Sequence, residues 1–413
     1  MSEGSSTATE HQGSVGAFDR RWLLAGAVVL LALVPLTLLG PGTDLDAGVV
    51  IRSGRSIVED QDYVASRPPG APVHEAAVGL LHRIGGTVAT NLGSLAMAAL
   101  CTWALVTLFR RAGVERPGLA AAVVVANPFF LIAATSTVDF LWALGLVLSA
   151  AVLARDRRPV AAGVLAALSI GCRASTLLLV LALLVAEWFD APEARRRALV
   201  IGSIAALGGA LLFVPSYLAA GESLAFAQNE FSTSSPLVQL GKYAVKNLYF
   251  FGPVGTVVVA LTARPVLDAL RTWRADWTVR FASVGLVLSQ LLFLRFPWKL
   301  GHLLPALVCL ALLLGVALTT DAAKAPASRR IDRRHLLVAL VAAQLLYAVV
   351  NVQFVRPDNP NEATGGRLTF APVWGALVVD VDCREDDTTA WKTNDRPRLE
   401  AVWNCAKPWA GGD

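Results

Sequence analysis

Ten titratable side chains stand where proton transfer and anion stabilisation would be useful. Asp44 and Asp46 lie two residues apart in Thr43-Asp44-Leu45-Asp46. Arg67 follows in Ser66-Arg67-Pro68-Pro69-Gly70, then His74 and Glu75. Asp139 and Arg173 interrupt apolar surroundings singly, and Arg295, Lys299 and His302 form a late group. A carboxylate near a membrane surface can take the proton of a hydroxyl acceptor. Guanidinium and ammonium groups can stabilise a departing phosphate. Together these needs suit group transfer from a phosphate ester to a hydroxyl. Each residue also has a structural reading. Asp44-Leu45-Asp46 reads as a solvated turn, Asp139 as the cap of a helix starting at Phe140, and Arg67 as a side chain reaching lipid headgroups. Lys299 and His302 read as anchors beside Trp298, and Lys242 and Lys246 as solvated loop charges. Arg173 is harder to assign this way, because a lone arginine in a long apolar run is costly.

The elements that must position these groups are membrane helices. The chain has 413 residues, of which 55% are hydrophobic and 16% charged, and a mean hydropathy of +0.56. A soluble globular chain carries about 25% charged residues. Runs such as 22–40 and 336–355 approach the ~20 residues needed to cross ~30 Å of hydrocarbon. The first run lacks a small-residue cleavage site and reads as a retained span. The net charge of +5 does not indicate nucleic acid, because the basic residues sit in short clusters between apolar runs. Placing those clusters in the cytoplasm puts 20 of the 36 Lys and Arg there, as the positive-inside rule requires.

Two cytoplasmic clusters must be joined by an even number of crossings. This parity gives about 11 spans in an all-α, polytopic bundle. Its external loops fall at about 41–73 and 215–246, with turns near Asp139, near Arg173 and between Arg295 and Lys299. The arms around Arg173 measure roughly 20–23 Å at a helical rise of 1.5 Å per residue, so this turn is expected below the membrane surface, in a protein-lined cavity. Residues 1–20 read as a disordered cytoplasmic N-terminus, 21–355 as the membrane domain, and 356–413 as a small extracytoplasmic C-terminal tail. Of five cysteines, Cys101, Cys172 and Cys309 fall in or beside apolar runs. Cys383 and Cys405 lie in the tail, where a disulfide is chemically permitted.

On these motifs the chain resembles the GT-C superfamily of membrane glycosyltransferases, which use polyprenyl-phosphate sugars. An acidic pair follows the first span, and Pro68-Pro69-Gly70-Ala71-Pro72 is similar to the Pro-Pro-Gly-x-Pro entry to the second span in bacterial members. Asn127-Pro128-Phe129-Phe130 leads to Asp139, and Gly171-Cys172-Arg173-Ala174-Ser175 resembles the family's short paired helices ending in an Arg turn. Pro297-Trp298-Lys299-Leu300-Gly301-His302-Leu303-Leu304-Pro305 is similar to its late motif of a basic residue, a ring and Leu-Pro.

The resemblance covers roughly residues 20–355. It implies a catalytic acid at Asp44 or Asp46, lipid-phosphate contacts from cations such as Arg173 and Lys299, and a lipid-linked donor. Some relatives use a divalent metal, Mg or Mn, and some do not, so that cofactor stays open. The expected partners are a polyprenyl-phosphate sugar donor, membrane lipid, and a glycan or other hydroxyl acceptor, with no nucleic acid. The chain lacks the sizeable soluble C-terminal domain of larger members. A second reading is a transporter or flippase, but no internal repeat is present and the charges gather on one side. A third is a scaffold subunit with a vestigial cavity.

Overall fold

Among the described residues six helices begin on a proline, at 72, 117, 128, 159, 192 and 236. At the first helical position the missing N–H removes a donor that would have no partner anyway, and the fixed φ suits the helix. The computed structural model describes residues 24–219, 235–319, 333–355 and 369–385. In chain order the helices are α1 (Leu24–Leu38), α2 (Leu45–Arg55), α3 (Pro72–Arg111), α4 (Pro117–Val125) and α5 (Pro128–Ala134). Next come α6 (Phe140–Arg155), α7 (Pro159–Cys172), α8 (Leu177–Trp188), α9 (Pro192–Leu212) and α10 (Val214–Ala219). The chain continues through α11 (Pro236–Leu261), α12 (Ala263–Leu270), α13 (Trp277–Arg295), α14 (Leu304–Thr319) and α15 (Arg333–Val349).

Among the described residues five helices are long and apolar enough to cross a membrane, or six if the pair α4–α5, bent by 77°, counts as one span. Five shorter apolar helices, including α6 and α7, accompany them. The protein is thus a multi-pass membrane bundle. At its centre is α6, with 14 of its 16 residues buried and α3 and α7 packed against it. A helix apolar on all sides belongs in such a position. Leu199, Leu207 and Leu211 of α9 stay exposed, as lipid-facing side chains do.

Between α1 and α3, residues 41–71 fold into α2, a π-helical turn (Ser56–Asp60) and the loop carrying Arg67. Helix α2 docks on the start of α3 at a glycine contact. A Cβ at Gly54 would lie 2.6 Å from the Glu75 carbonyl and the Gly79 nitrogen, so only glycine permits this approach.

Two expectations need correction. The second long loop, expected at 215–246, is helical from Pro236, so Lys242 and Lys246 belong to α11; residues 220–234 lie outside the described part. The fold is also not purely α. After α15, β1 (Val350–Val355) pairs antiparallel with β2 (Thr369–Trp374), in the register Val350↔Trp374 to Val355↔Thr369. The run Val350-Asn351-Val352-Gln353 alternates apolar and polar residues, a strand period that the preceding helical pattern obscures. β2 leads into α16 (Ala376–Glu385), which packs against α5 and α15. The chain thus returns to the bundle at α16. The N-terminal segment 1–20 lies outside the described residues, as does most of the expected tail.

Candidate functional site

The acidic turn is built by capping. Asp44 is the N-cap of α2, with extended backbone (φ −75°, ψ 125°), and its Oδ1 accepts the Asp46 N–H at 2.9 Å. This local bond explains why an Asp-x-Asp pair starts the helix here. The turn before it is held from two sides. Asn91 Nδ2 donates to the Thr37 and Gly40 carbonyls at 3.0 and 2.6 Å, and the Thr137 N–H donates to the Pro41 carbonyl at 2.7 Å. Gly42 has φ +117°, and a Cβ there would sit 2.7 Å from the Ser136 Cβ, so glycine is needed for both conformation and space.

From the other side, Thr43 Oγ1 donates to Asp380 Oδ1 of α16 at 2.7 Å. Arg384, one turn later, pairs with Asp380 at 2.6 Å and donates to the Thr135 carbonyl at 3.0 Å and to Ser136 Oγ at 2.5 Å. Asp380 and Arg384 are both buried. The sequence reading missed this clamp, although an acidic and a basic residue four apart within Ala376–Glu385 gave a signal for it. Cys383, next to Arg384, is disulfide-bonded, while Cys101, Cys172 and Cys309 are free thiols. Cys405, its expected partner, lies outside the described residues.

Three carboxylates and three cations meet at this turn. Lys299 Nζ donates to Asp44 Oδ1 at 2.6 Å and lies 2.8 Å from Asp46 Oδ2. Arg67 donates to Asp46 Oδ2 at 2.9 Å through Nη1 and to Asp139 Oδ2 through Nη2. Arg173 Nη1 donates to Asp139 Oδ1 at 2.6 Å. Arg173 Nη2 lies 2.9 Å from His302 Nε2; an arginine can only donate, so this ring nitrogen accepts. The Arg173 guanidinium also covers the Phe140 ring at 4.2 Å.

Asp139 occupies the cap position of α6 by its backbone, but its side chain makes no cap bond there. With 2% of its side chain exposed it instead bridges two arginines from opposite sides. Arg173 ends α7 in an extended conformation (φ −158°), where the short helix stops inside the bundle. Burial pushes the Asp46 carboxyl up, but the Lys299 ammonium and the Arg67 guanidinium outweigh it and hold the carboxyl below its ordinary value. Burial likewise works against the Lys299 ammonium, and Asp44 and Asp46 reverse this and raise it.

Seven of the ten expected residues therefore converge: Asp44, Asp46, Arg67, Asp139, Arg173, Lys299 and His302. Glu75 stands behind them. It accepts from Tyr63 Oη at 2.6 Å and from the Ser66 N–H at 2.9 Å, which ties the Arg67 loop to α3. His74 is buried with its ring edge-on to Trp142, at 5.3 Å between centroids; it lies within electrostatic reach of Asp139, Arg67 and Arg173 but neither ring nitrogen makes a hydrogen bond. Arg295 stands apart from the cluster: it is exposed at the end of α13, with its guanidinium over Phe296 at 4.8 Å. The helix ends there, so its side chain and that of Lys299 leave the backbone in unrelated directions. Lys246, read as a loop charge, is buried on α11 and donates to the Trp298 carbonyl, next to Lys299.

A slot of about 90 Å³ opens beside the turn. Phe129, Ile132, Val138, Phe140 and Leu300 give it an apolar wall, and Thr43, Asp44, Ser136, Lys299 and Asp380 supply the polar part of its lining. Among the described residues no three His, Cys, Asp or Glu side chains converge as metal ligands. The three carboxylates that approach one another each face a cation, so this donor set does not fit Mg or Mn.

No family model and no curated relative matches the chain. Two solved structures do. ArnT from Cupriavidus metallidurans bound to undecaprenyl phosphate superposes with a TM-score of 0.56 and 17% identity, covering 94% of this chain and 76% of that one. The apo form of the same protein gives a TM-score of 0.55 and 17% identity, with coverage of 95% and 78%. At this identity the likeness is one of fold: over nearly its whole length the chain shares the architecture of the ArnT structure.

Proposed function

We propose that the protein is a membrane glycosyltransferase that moves a sugar from a polyprenyl-phosphate donor to a hydroxyl acceptor on the extracytoplasmic face. The observation that carries this reading is the acidic turn paired with Lys299 in the lining of a largely apolar slot. An isoprenoid chain suits the apolar wall, and its phosphate suits the cation. The undecaprenyl phosphate held by the ArnT structure supports the same donor class. The proposed topology has 11 crossings, formed by the long helices, the bent pair and the five short apolar helices, with the N-terminus inside and the C-terminus outside.

In the proposed reaction the acceptor oxygen bonds to the anomeric carbon while the carbon–oxygen bond to phosphate breaks. The bonding pair leaves on the phosphate oxygen, and the hydroxyl proton passes to Asp44 or Asp46. One displacement of this kind inverts the anomeric configuration. A phosphate in the slot competes with the carboxylates for Lys299. As the ammonium turns towards phosphate, the carboxylate it leaves becomes a better base. Arg173 is poised behind as a second cation, and the reaction as written needs no divalent ion.

The test is release of free polyprenyl phosphate by purified protein from a panel of polyprenyl-phosphate sugars, with Asp44→Asn, Asp46→Asn and Arg173→Ala compared. Loss of a general base is expected to slow transfer by about 10²–10⁴-fold. Full activity of the Asp44→Asn/Asp46→Asn double variant would overturn the mechanism. No release by folded wild-type protein from any donor would overturn the function.

A further inference from the structure

A larger cavity, of about 470 Å³, lies against α2. It is walled by α2, by the π-helical turn Ser56–Asp60 and by residues 64–66. Single π-turns recur at functional sites because they re-aim side chains. This one ends on Gln61, a non-glycine residue with φ 56°. The volume falls within the range of small-ligand sites. The cavity begins at Gly48, two residues after Asp46, and ends at Ser66, one residue before Arg67. The segment that lines it is thus continuous in sequence with the acidic turn at one end and with the Arg67 loop at the other.

The chemistry of the wall indicates the occupant. Seven of its twelve lining residues are polar or charged. Arg52, Arg55, Glu59 and Asp60 contribute two charges of each sign, so an anion gains no net attraction there. Arg55 pairs with Glu59 at 3.0 Å on the exposed surface, and an exposed pair of this kind contributes little and opens easily. Ser53 and Ser66 also line it, although their hydroxyl oxygens are buried in the wall, without a hydrogen-bond partner. Matched donors and acceptors suit groups that both give and accept, as hydroxyls do. Val49, Ile51 and Val64 supply apolar surface for the C–H face of a ring.

We propose that this cavity binds the acceptor and that the acceptor is a neutral, polyhydroxylated glycan rather than a second lipid or a phosphorylated sugar. The inference rests on the transferase reading for its role, but the cavity can be tested without turnover. Saturation-transfer NMR would measure binding of neutral trisaccharides (maltotriose, mannotriose, chitotriose) to the full chain in detergent. Glucose 6-phosphate and a short-chain diacylglycerol would serve as competitors. Val64, 56% exposed at the rim, would be changed to Trp to fill the space without disturbing the core. Wild-type protein should bind at least one trisaccharide, and Val64→Trp and Glu59→Gln should weaken that binding by about tenfold, or 1.4 kcal/mol.

In transfer assays the same variants should raise the acceptor KM and leave the donor KM unchanged. No trisaccharide binding, binding that Val64→Trp leaves unchanged, or displacement by the phosphate or the diacylglycerol would overturn the proposal. Trisaccharide binding that Val64→Trp weakens, with no donor turned over, would keep the cavity and overturn only the transferase reading.

Discussion

Asp139 holds two guanidinium groups that would otherwise repel each other. Removing one partner of a buried ion pair costs more than the pair contributes, because the remaining charge is left unpaired. Asp139→Ala is therefore expected to lower stability by about 3 kcal/mol or more, read as a fall in Tm in detergent, and an unchanged Tm would contradict the bridging role. Asp46 makes a pH prediction. Its carboxyl is held below the ordinary value of 3.8, so its contribution is fully present above that value and is lost as pH falls through the folded-state value. Tm should stay level from about pH 7 to pH 5 and fall below about pH 4. Asp46→Asn should shrink that fall, and an identical acid limb would show that Lys299 and Arg67 do not stabilise the carboxylate.

Among elements, α2 and α16 decide whether the acidic turn is in place. The backbone contact at Gly54 makes Gly54→Ala an overpacking change, expected to cost about 1–3 kcal/mol and to lower activity through displacement of the α2 docking. Wild-type Tm and rate in this variant would mean that α2 docks otherwise. The Thr43–Asp380 bond gives a sharper test, because Thr43 touches α16 through one hydroxyl. Thr43→Val should lower kcat by about tenfold, less than the ~10²-fold that a misplacement of 1 Å can cost. Donor KM should change little, and Thr43→Ser should restore the rate. Equal loss in the Val and Ser variants would assign the effect to packing. The cap was read at Asp139, whose side chain makes no cap bond, while Asp44 caps α2. The short helix ending at the lone Arg173 was legible from local chemistry, through the cost of a buried charge. The clamp by α16 was not, because its residues are 337 positions from the turn they hold.

For the whole molecule, the distribution of basic clusters sets an orientation that labelling can check. Single cysteines at Glu59→Cys and Arg196→Cys should differ towards a membrane-impermeant maleimide in intact cells. The first should react from outside, and the second only after permeabilisation. Reaction of both from the same side would break the parity from which the crossings were counted.

The sequence by itself determined that this is a helical membrane protein, and which charges are too costly to be incidental. Those properties depend on composition and on 3.6-residue periodicity, both of which act within a few neighbouring residues. Only the tertiary structure decided which charges meet. Lys299 reaches Asp44 across 255 positions and Arg67 reaches Asp139 across 72, while Arg295, four residues from Lys299, points elsewhere. Such pairings depend on how each helix is rotated and how deeply it sits in the bundle, which is fixed by packing against several neighbours at once and leaves no trace in local spacing.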